Sequence, residues 1–164
     1  MITGDQYVMT DVESLKNYGH DQTEDLQFYP SVVVKPGNRE EIAAIMKLAN
    51  REMIPVTPRG AGTGLSGGAL PVYGGILLST ERLNKILHID ERNLQATVEP
   101  GVINQVFRDA VETKGLFYPP DPASRACGRA NSGGWARANE NPARRTWHSC
   151  IKGKPPHQRI FQEN

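Results

Sequence analysis

Between Ser31 and Val111 the apolar positions switch repeatedly between strand-like and helix-like spacing, and the switches predict an α/β succession. Ser31-Val32-Val33-Val34-Lys35 is a short β-branched run that reads as a strand. Asn38, followed three residues later by Glu41, is the pattern of a capping box opening a helix. Along that helix Ile42, Ile45, Met46, Ala49 and Met53 fall at helical spacing and are expected to form one buried face. Ile54 to Thr57 is the next expected strand, completing a β-α-β unit for which a right-handed crossover is the rule. Tyr73-Gly74-Gly75 reads as a turn into the strand Ile76 to Ser79, and a further strand is expected from Ile86 to Ile89. Leu94, Ala96 and Val98 alternate with polar residues, as in a half-buried strand. Gly101 is expected to start a second helix, with Ile103, Val106, Phe107, Ala110 and Val111 inward and Lys114-Gly115 at its end.

The segment that fits neither period is Thr57 to Ala69, with five glycines among residues 60–68. Glycine at that density lets backbone N–H groups converge around an anion, so the run is a candidate phosphate or pyrophosphate loop. Arg59 enters it, and no acidic residue occurs between Glu52 and Glu81. Gly62, Gly64 and Gly67 form a G-x-G-x-x-G, with Glu81 near the distance of a ribose-binding acid. That dinucleotide fingerprint needs a helix starting inside the loop, and Leu70-Pro71-Val72-Tyr73-Gly74-Gly75 leaves too little room for one. A Walker A loop is excluded because no Gly-Lys-Ser/Thr ending follows. A mobile surface loop with no ligand is the remaining alternative, although the interleaved Ala, Thr, Leu and Ser are unlike a Gly/Ser linker.

Four motifs in order add to this reading. Val33-Val34-Lys35-Pro36-Gly37-Asn38, Ile54 to Gly64, Val98-Glu99-Pro100-Gly101-Val102 and Tyr118-Pro119-Pro120-Asp121-Pro122 together resemble the FAD-linked oxidases with a PCMH-type FAD-binding domain. Within them the chain is most similar to the glycolate oxidase and D-lactate dehydrogenase group, from about Tyr7 to Ser124. The resemblance implies an α/β (α+β) fold: the N-terminal part of such a domain, with a β-α-β subdomain and a glycine-rich pyrophosphate loop. It also implies FAD as cofactor, held at Pro58, Arg59, Gly60, Ala61, Gly62, Thr63 and Gly64, with Ser66 and Gly67 completing the turn. Pro120, Asp121, Pro122 and Ser124 would pass beside the flavin. A dianionic pyrophosphate suits a ring of N–H dipoles, while Arg59 is equally well read as a donor to an oxygen or as a cap on the loop.

Other chemistry-bearing residues are weaker candidates. Asp11, Glu13, Asp21, Glu24 and Asp25 have irregular spacing and no glycine turn, so a solvated surface is expected rather than a metal site. His20 and His88 stand alone, and Asp90-Glu91 is expected in an exposed turn after a strand. No metal ligand and no catalytic residue is assigned.

Charge brings in a division that the apolar pattern does not show. Residues 1–124 hold 11 basic and 16 acidic residues, a net of −5, whereas residues 125–164 hold 8 basic and 2 acidic, a net of +6. The second stretch has two isoleucines and no valine or leucine, so a basic tail without much buried core, mostly disordered, is expected. Where the resembled family continues with a Gly-Gly-Asn signature, this chain reads Arg125 to Trp135, with Gly133-Gly134 as a faint echo. A shift of reading frame at or just after Ser124 would account for the simultaneous changes. Two rival readings of the tail are a nucleic-acid-binding arm, from its basic residues and Trp135, Trp147 and Phe161, and a zinc site of Cys127, His148, Cys150 and His157. Neither is favoured, because out-of-frame GC-rich DNA also gives arginine and the Cys/His spacings match no common finger.

No secretory signal or membrane-length apolar run is evident, so a cytoplasmic location with free thiols is expected. The resemblance implies an oxidoreductase acting on a 2-hydroxy acid, whose substrate region supplies histidines and an acidic residue absent from this sequence. A chain with the pyrophosphate half of the site is therefore expected to bind FAD weakly or not at all and to lack turnover alone.

Overall fold

A computed structural model describes residues 2–118 and, as backbone, residues 147–150 and 152–153. It divides into two compact units, Met1–Asn84 and Lys85–Asn164.

The first unit is built on a four-stranded sheet. Its strands are β1 (Val8–Met9), β2 (Val32–Val34), β3 (Val56–Arg59) and β4 (Ile76–Ser79), in the spatial order β1-β2-β4-β3. β2 and β3 both run parallel to β4, and β1 pairs antiparallel with β2. All four residues of β4 are buried, as a central strand covered on both faces requires. The expected strand at Ser31 to Lys35 is present, while the next begins two residues later than Ile54 and extends to Arg59.

Helix α2 (Arg39–Arg51) joins β2 to β3. The Asn38 side chain accepts from the Glu41 N–H at 2.8 Å, as its spacing predicts. Glu41 reaches back to the Gly37 N–H, also at 2.8 Å, one residue before the usual capping-box donor. Ile45 and Ala49 are buried with Val34, Ile76 and Leu78, and Ile42 packs against them. Met46 and Met53 do not join this face. Met46 is exposed, and Met53 lies past the helix with φ +54° and 85% exposure. Helix α1 (Val12–Asn17), which the apolar pattern does not announce, is capped by Asp11, whose carboxylate accepts from the Ser14 N–H at 2.8 Å.

The second unit holds β5 (Ile86–Asp90), β6 (Gln95–Val98), α3 (Asn104–Glu112), β7 (Leu116–Phe117), β8 (Trp147–Cys150) and β9 (Lys152–Gly153). β6 pairs antiparallel with β5 and β8, and β7 with β9. Ala96, Val98, Val102, Phe107, Val111, Leu116 and Tyr118 form its core, with Phe107 edge-on to Tyr118 at 4.8 Å between ring centres. Helix α3 starts three residues after Gly101, and Val106 faces solvent instead of the core. Asp90 accepts from the N–H groups of Arg92 and Asn93, forming the exposed turn expected there. Of the basic tail, Trp147–Cys150 and Lys152–Gly153 are strands. Ser124, where the charge changes sign, lies outside the described residues.

Candidate functional site

The parallel strands β2, β4 and β3 bring three polar residues to one end of the sheet. Arg59 closes β3 directly opposite Ser79, which closes β4, and Lys35 follows β2. In sheets of parallel strands, ligands bind beyond these carboxyl ends. The glycine loop leaves the sheet here, and no helix forms between Arg59 and Ile76.

Inside the loop, Gly62 and Gly67 hold left-handed backbone angles of φ +70° and +67°. At Gly62 a second constraint acts, because a Cβ would run into the Arg59 guanidinium. Arg59 is only 7% exposed. Its guanidinium lies 5.6 Å from the centre of the Tyr18 ring, and its carbonyl accepts the Thr80 N–H at 3.0 Å. Burial pulls the Arg59 guanidinium below its ordinary pKa, while Asp21, Tyr18 and Glu81 act in the opposite direction.

A second segment, Tyr18 to Leu26, supports the loop. The Gln22 N–H donates to the Gly64 carbonyl at 3.1 Å, and the Gly67 N–H donates to Thr23 Oγ1 at 2.8 Å. Gly67 therefore spends its N–H on closing the loop rather than on a ligand. Asp21 accepts the Thr23 N–H at 2.8 Å through Oδ1, leaving Oδ2 toward the space that a Cβ on Gly64 would enter, 3.7 Å away. Asp21 is 8% exposed, which corrects the reading of all five N-terminal acids as solvated surface. Asp11, Glu13, Glu24 and Asp25 are exposed as expected. The signal that could have singled out Asp21 is its Asx-turn spacing to Thr23, Asp-Gln-Thr.

Beside Arg59 sits a compact charged network. Glu81 accepts from Tyr18 Oη at 2.6 Å, Lys35 Nζ at 2.8 Å and Ser79 Oγ at 3.0 Å. Burial would raise the Glu81 pKa, yet the bonds from Lys35, Tyr18 and Ser79 prevail and lower it. Both Glu81 oxygens are thereby engaged inside the unit, unlike those of an acid awaiting a ribose. Arg82 is held by the Lys35 carbonyl at 2.9 Å, by Glu41 at 3.7 Å and by the face of Tyr7.

Of the expected site residues, Pro58 is an exposed member of β3, Arg59 ends that strand, and Gly60, Ala61, Gly62, Thr63 and Gly64 form the near side of the loop. Ser66 is exposed on its far side. Pro120, Asp121, Pro122 and Ser124 lie outside the described residues, as do the side chains of the imagined zinc set. Among the described residues no three His, Cys, Asp or Glu side chains are grouped to hold a metal, and no helix is long and apolar enough to cross a membrane.

A glycine loop at the carboxyl ends of parallel strands, with a buried guanidinium and no helix behind it, defines a nucleotide-binding α/β domain of non-Rossmann type. Residues 30–150 match the family model of the FAD binding domain, and the chain belongs to that family. It is 49% identical over 107 residues to the glycolate oxidase subunit GlcD of Bacillus subtilis, covering 65% of this chain and 23% of the relative. It is 41% identical over 124 residues to a D-lactate dehydrogenase of Anaerostipes hadrus, covering 75% and 25%. The chain thus spans about a quarter of the length of these relatives. An alkyldihydroxyacetonephosphate synthase structure superposes with a TM-score of 0.72 at 20% identity, over 82% of this chain and 27% of that one, and so shares the fold.

The residues present fit the family's cofactor. Three buried side-chain atoms lack a hydrogen-bond partner among the described residues: Arg59 Nη1, Thr63 Oγ1 and Asp21 Oδ2. All three lie on the glycine loop or on the segment that supports it. Buried polar groups are rarely left unmet, and their concentration at the loop is the pattern that a phosphate-binding site presents before its ligand is bound. A guanidinium and a hydroxyl are donors that suit phosphate oxygens.

Proposed function

We propose that this chain forms the pyrophosphate-holding part of the FAD site in a flavin-dependent oxidoreductase acting on a 2-hydroxy acid of the D-lactate or glycolate type. The observation that carries the reading is the coincidence of the unmet donors Arg59 Nη1 and Thr63 Oγ1 with the glycine loop at the strand ends. The identity to a glycolate oxidase subunit and to a D-lactate dehydrogenase supports the substrate class. In such a protein FAD supplies the two-electron acceptor. The residues of this chain bind and orient it: Arg59 and Thr63 donate toward the phosphates, and the main chain of Gly60 to Gly64 lines the cradle. Pro120, Asp121, Pro122 and Ser124 are proposed to lie along the flavin. No residue of this chain is assigned to proton transfer from the hydroxy acid.

The test is a fluorescence titration of the purified chain with FAD, followed by dye reduction with D-lactate and with glycolate. Weak saturable FAD binding without turnover is expected; absence of binding at millimolar FAD would remove the cradle reading, and turnover would show that the substrate residues are present after all. The change of charge after Ser124 supports treating residues 125–164 as a segment apart from 1–124. Translation of the encoding DNA in the other two frames tests whether a shift produced it. A Gly-Gly-Asn segment in one of them is expected, and its absence from both refutes the shift.

A further inference from the structure

The third unmet atom, Asp21 Oδ2, does not fit a phosphate: it is a carboxylate oxygen, an acceptor, and it sits beside a loop built for anions. It is also the group that acts on Arg59 most strongly among those favouring its charged form. Lys35 and Arg82 are engaged with Glu81 and Glu41, whereas Asp21 Oδ2 and Arg59 Nη1 each remain buried without a hydrogen-bond partner. A Cβ at Gly62 would run into the guanidinium, whereas one at Gly64 would meet Asp21 Oδ2 at 3.7 Å, an ordinary contact that places the carboxylate beside the loop.

We propose that Asp21 is a charge-selecting residue of the cradle: a buried carboxylate at the glycine loop that discriminates against phosphate ligands bearing more charge than a diesterified pyrophosphate. The proposal rests on the pyrophosphate reading above. Its physical basis is simple. A carboxylate at the loop repels an anion bound there, and the repulsion grows with each added ligand charge. A pyrophosphate esterified at both ends, as in FAD, lacks the terminal phosphate whose second ionisation near about pH 6 adds a further charge. The dinucleotide is then accepted and nucleoside di- and triphosphates are disfavoured, although the loop amides alone would hold the more highly charged ligands better.

ADP and its β-methyl ester, which differ by one methyl group and the terminal charge it removes, are the probes, measured by calorimetry on the full chain with FAD alongside. The wild-type chain is expected to prefer the ester. Asp21→Asn retains an Oδ1 for the Thr23 N–H and removes the charge. It should narrow the gap between the two ligands by about tenfold, since one like charge nearby is worth roughly that factor per ligand charge. Asp21→Glu should restore the gap. A wild-type chain that binds ADP as well as the ester overturns the proposal. So does an Asn variant that weakens both ligands equally, because Asp21 would then only hold the loop in shape. If circular dichroism shows the Asn variant unfolded, the wild-type preference and its persistence in the Glu variant decide the matter. Failure of FAD and both probes to bind wild type removes the cradle reading itself, whereas FAD binding with no preference for the ester removes only the role of Asp21.

Discussion

Replacing Gly62 by alanine separates two constraints that the loop imposes on one residue. The backbone there is left-handed, φ +70°, which costs a residue with a Cβ about 1–2 kcal/mol. The added methyl would also meet the Arg59 guanidinium, and crowding of a packed site costs about 1–3 kcal/mol. The expected loss is the sum, roughly 2–5 kcal/mol, a large share of the ~5–15 kcal/mol that holds an ordinary domain together. Gly68→Ala in the same loop is the control. No atom lies within 4 Å of its added carbon and its backbone is not left-handed, so a change within about 0.5 kcal/mol is expected. Urea denaturation of both variants measures the difference, and the thermal midpoint of Gly62→Ala should fall by about 4–8 °C per kcal/mol lost. Adding Arg59→Ala removes the obstacle to the methyl but leaves the backbone cost. The double variant should therefore lose about 1–3 kcal/mol less than the two single losses combined. Equal losses at Gly62 and Gly68, or additivity with Arg59→Ala, would refute the reasoning.

Glu81 makes stability pH-dependent on the acid side: its pKa is lower in the folded unit than the ordinary 4.5, so its contribution is present above that value and lost as pH falls through the folded one. Wild type should lose stability faster than Glu81→Gln between about pH 5 and pH 3, and parallel urea midpoints across that range would contradict the assignment. In the second unit, Phe107 is fully buried and packs edge-on to Tyr118, so Phe107→Ala should cost about 3–5 kcal/mol in chemical denaturation, against less than half of that if the ring were not central to the core.

The parts of the fold that were legible in the sequence are those decided locally. Asn38 and Glu41 specify a helix start with their own hydrogen bonds, and the β-branched run at Val32 to Val34 needs only a neighbour to become a strand. Periodicity overreached where the helix stops. Met53 continues the apolar spacing of α2 but lies beyond its end, and nothing in apolar spacing registers that the chain has turned. Val106 shows the same limit, since helical spacing locates a stripe but not its edges. The glycine loop was readable because glycine density is itself the requirement for converging amides. Asp21 was not, because its burial comes from a loop more than 40 residues away: its Asx-turn spacing to Thr23 marks a turn, but not that the carboxylate is buried. The network of Tyr18, Lys35, Ser79 and Glu81 was hidden for the same reason, being assembled from three separate stretches, two of which the parallel register of β2 and β4 brings together.

The support of the glycine loop by Gln22 and Thr23 bears on where this domain can be cut. The family match begins at residue 30, after that supporting segment. A chain trimmed to the match would keep every glycine of the loop and Arg59, yet lose the donor to the Gly64 carbonyl, the acceptor for the Gly67 N–H and the Asp21 carboxylate beside Gly64. The Thr23 to Gly67 bond also spans 44 residues, a non-local contact of the kind whose closure entropy slows folding. The working boundary of the nucleotide site is therefore nearer Tyr18 than Pro30, and the unit that folds is larger than the unit that is recognised.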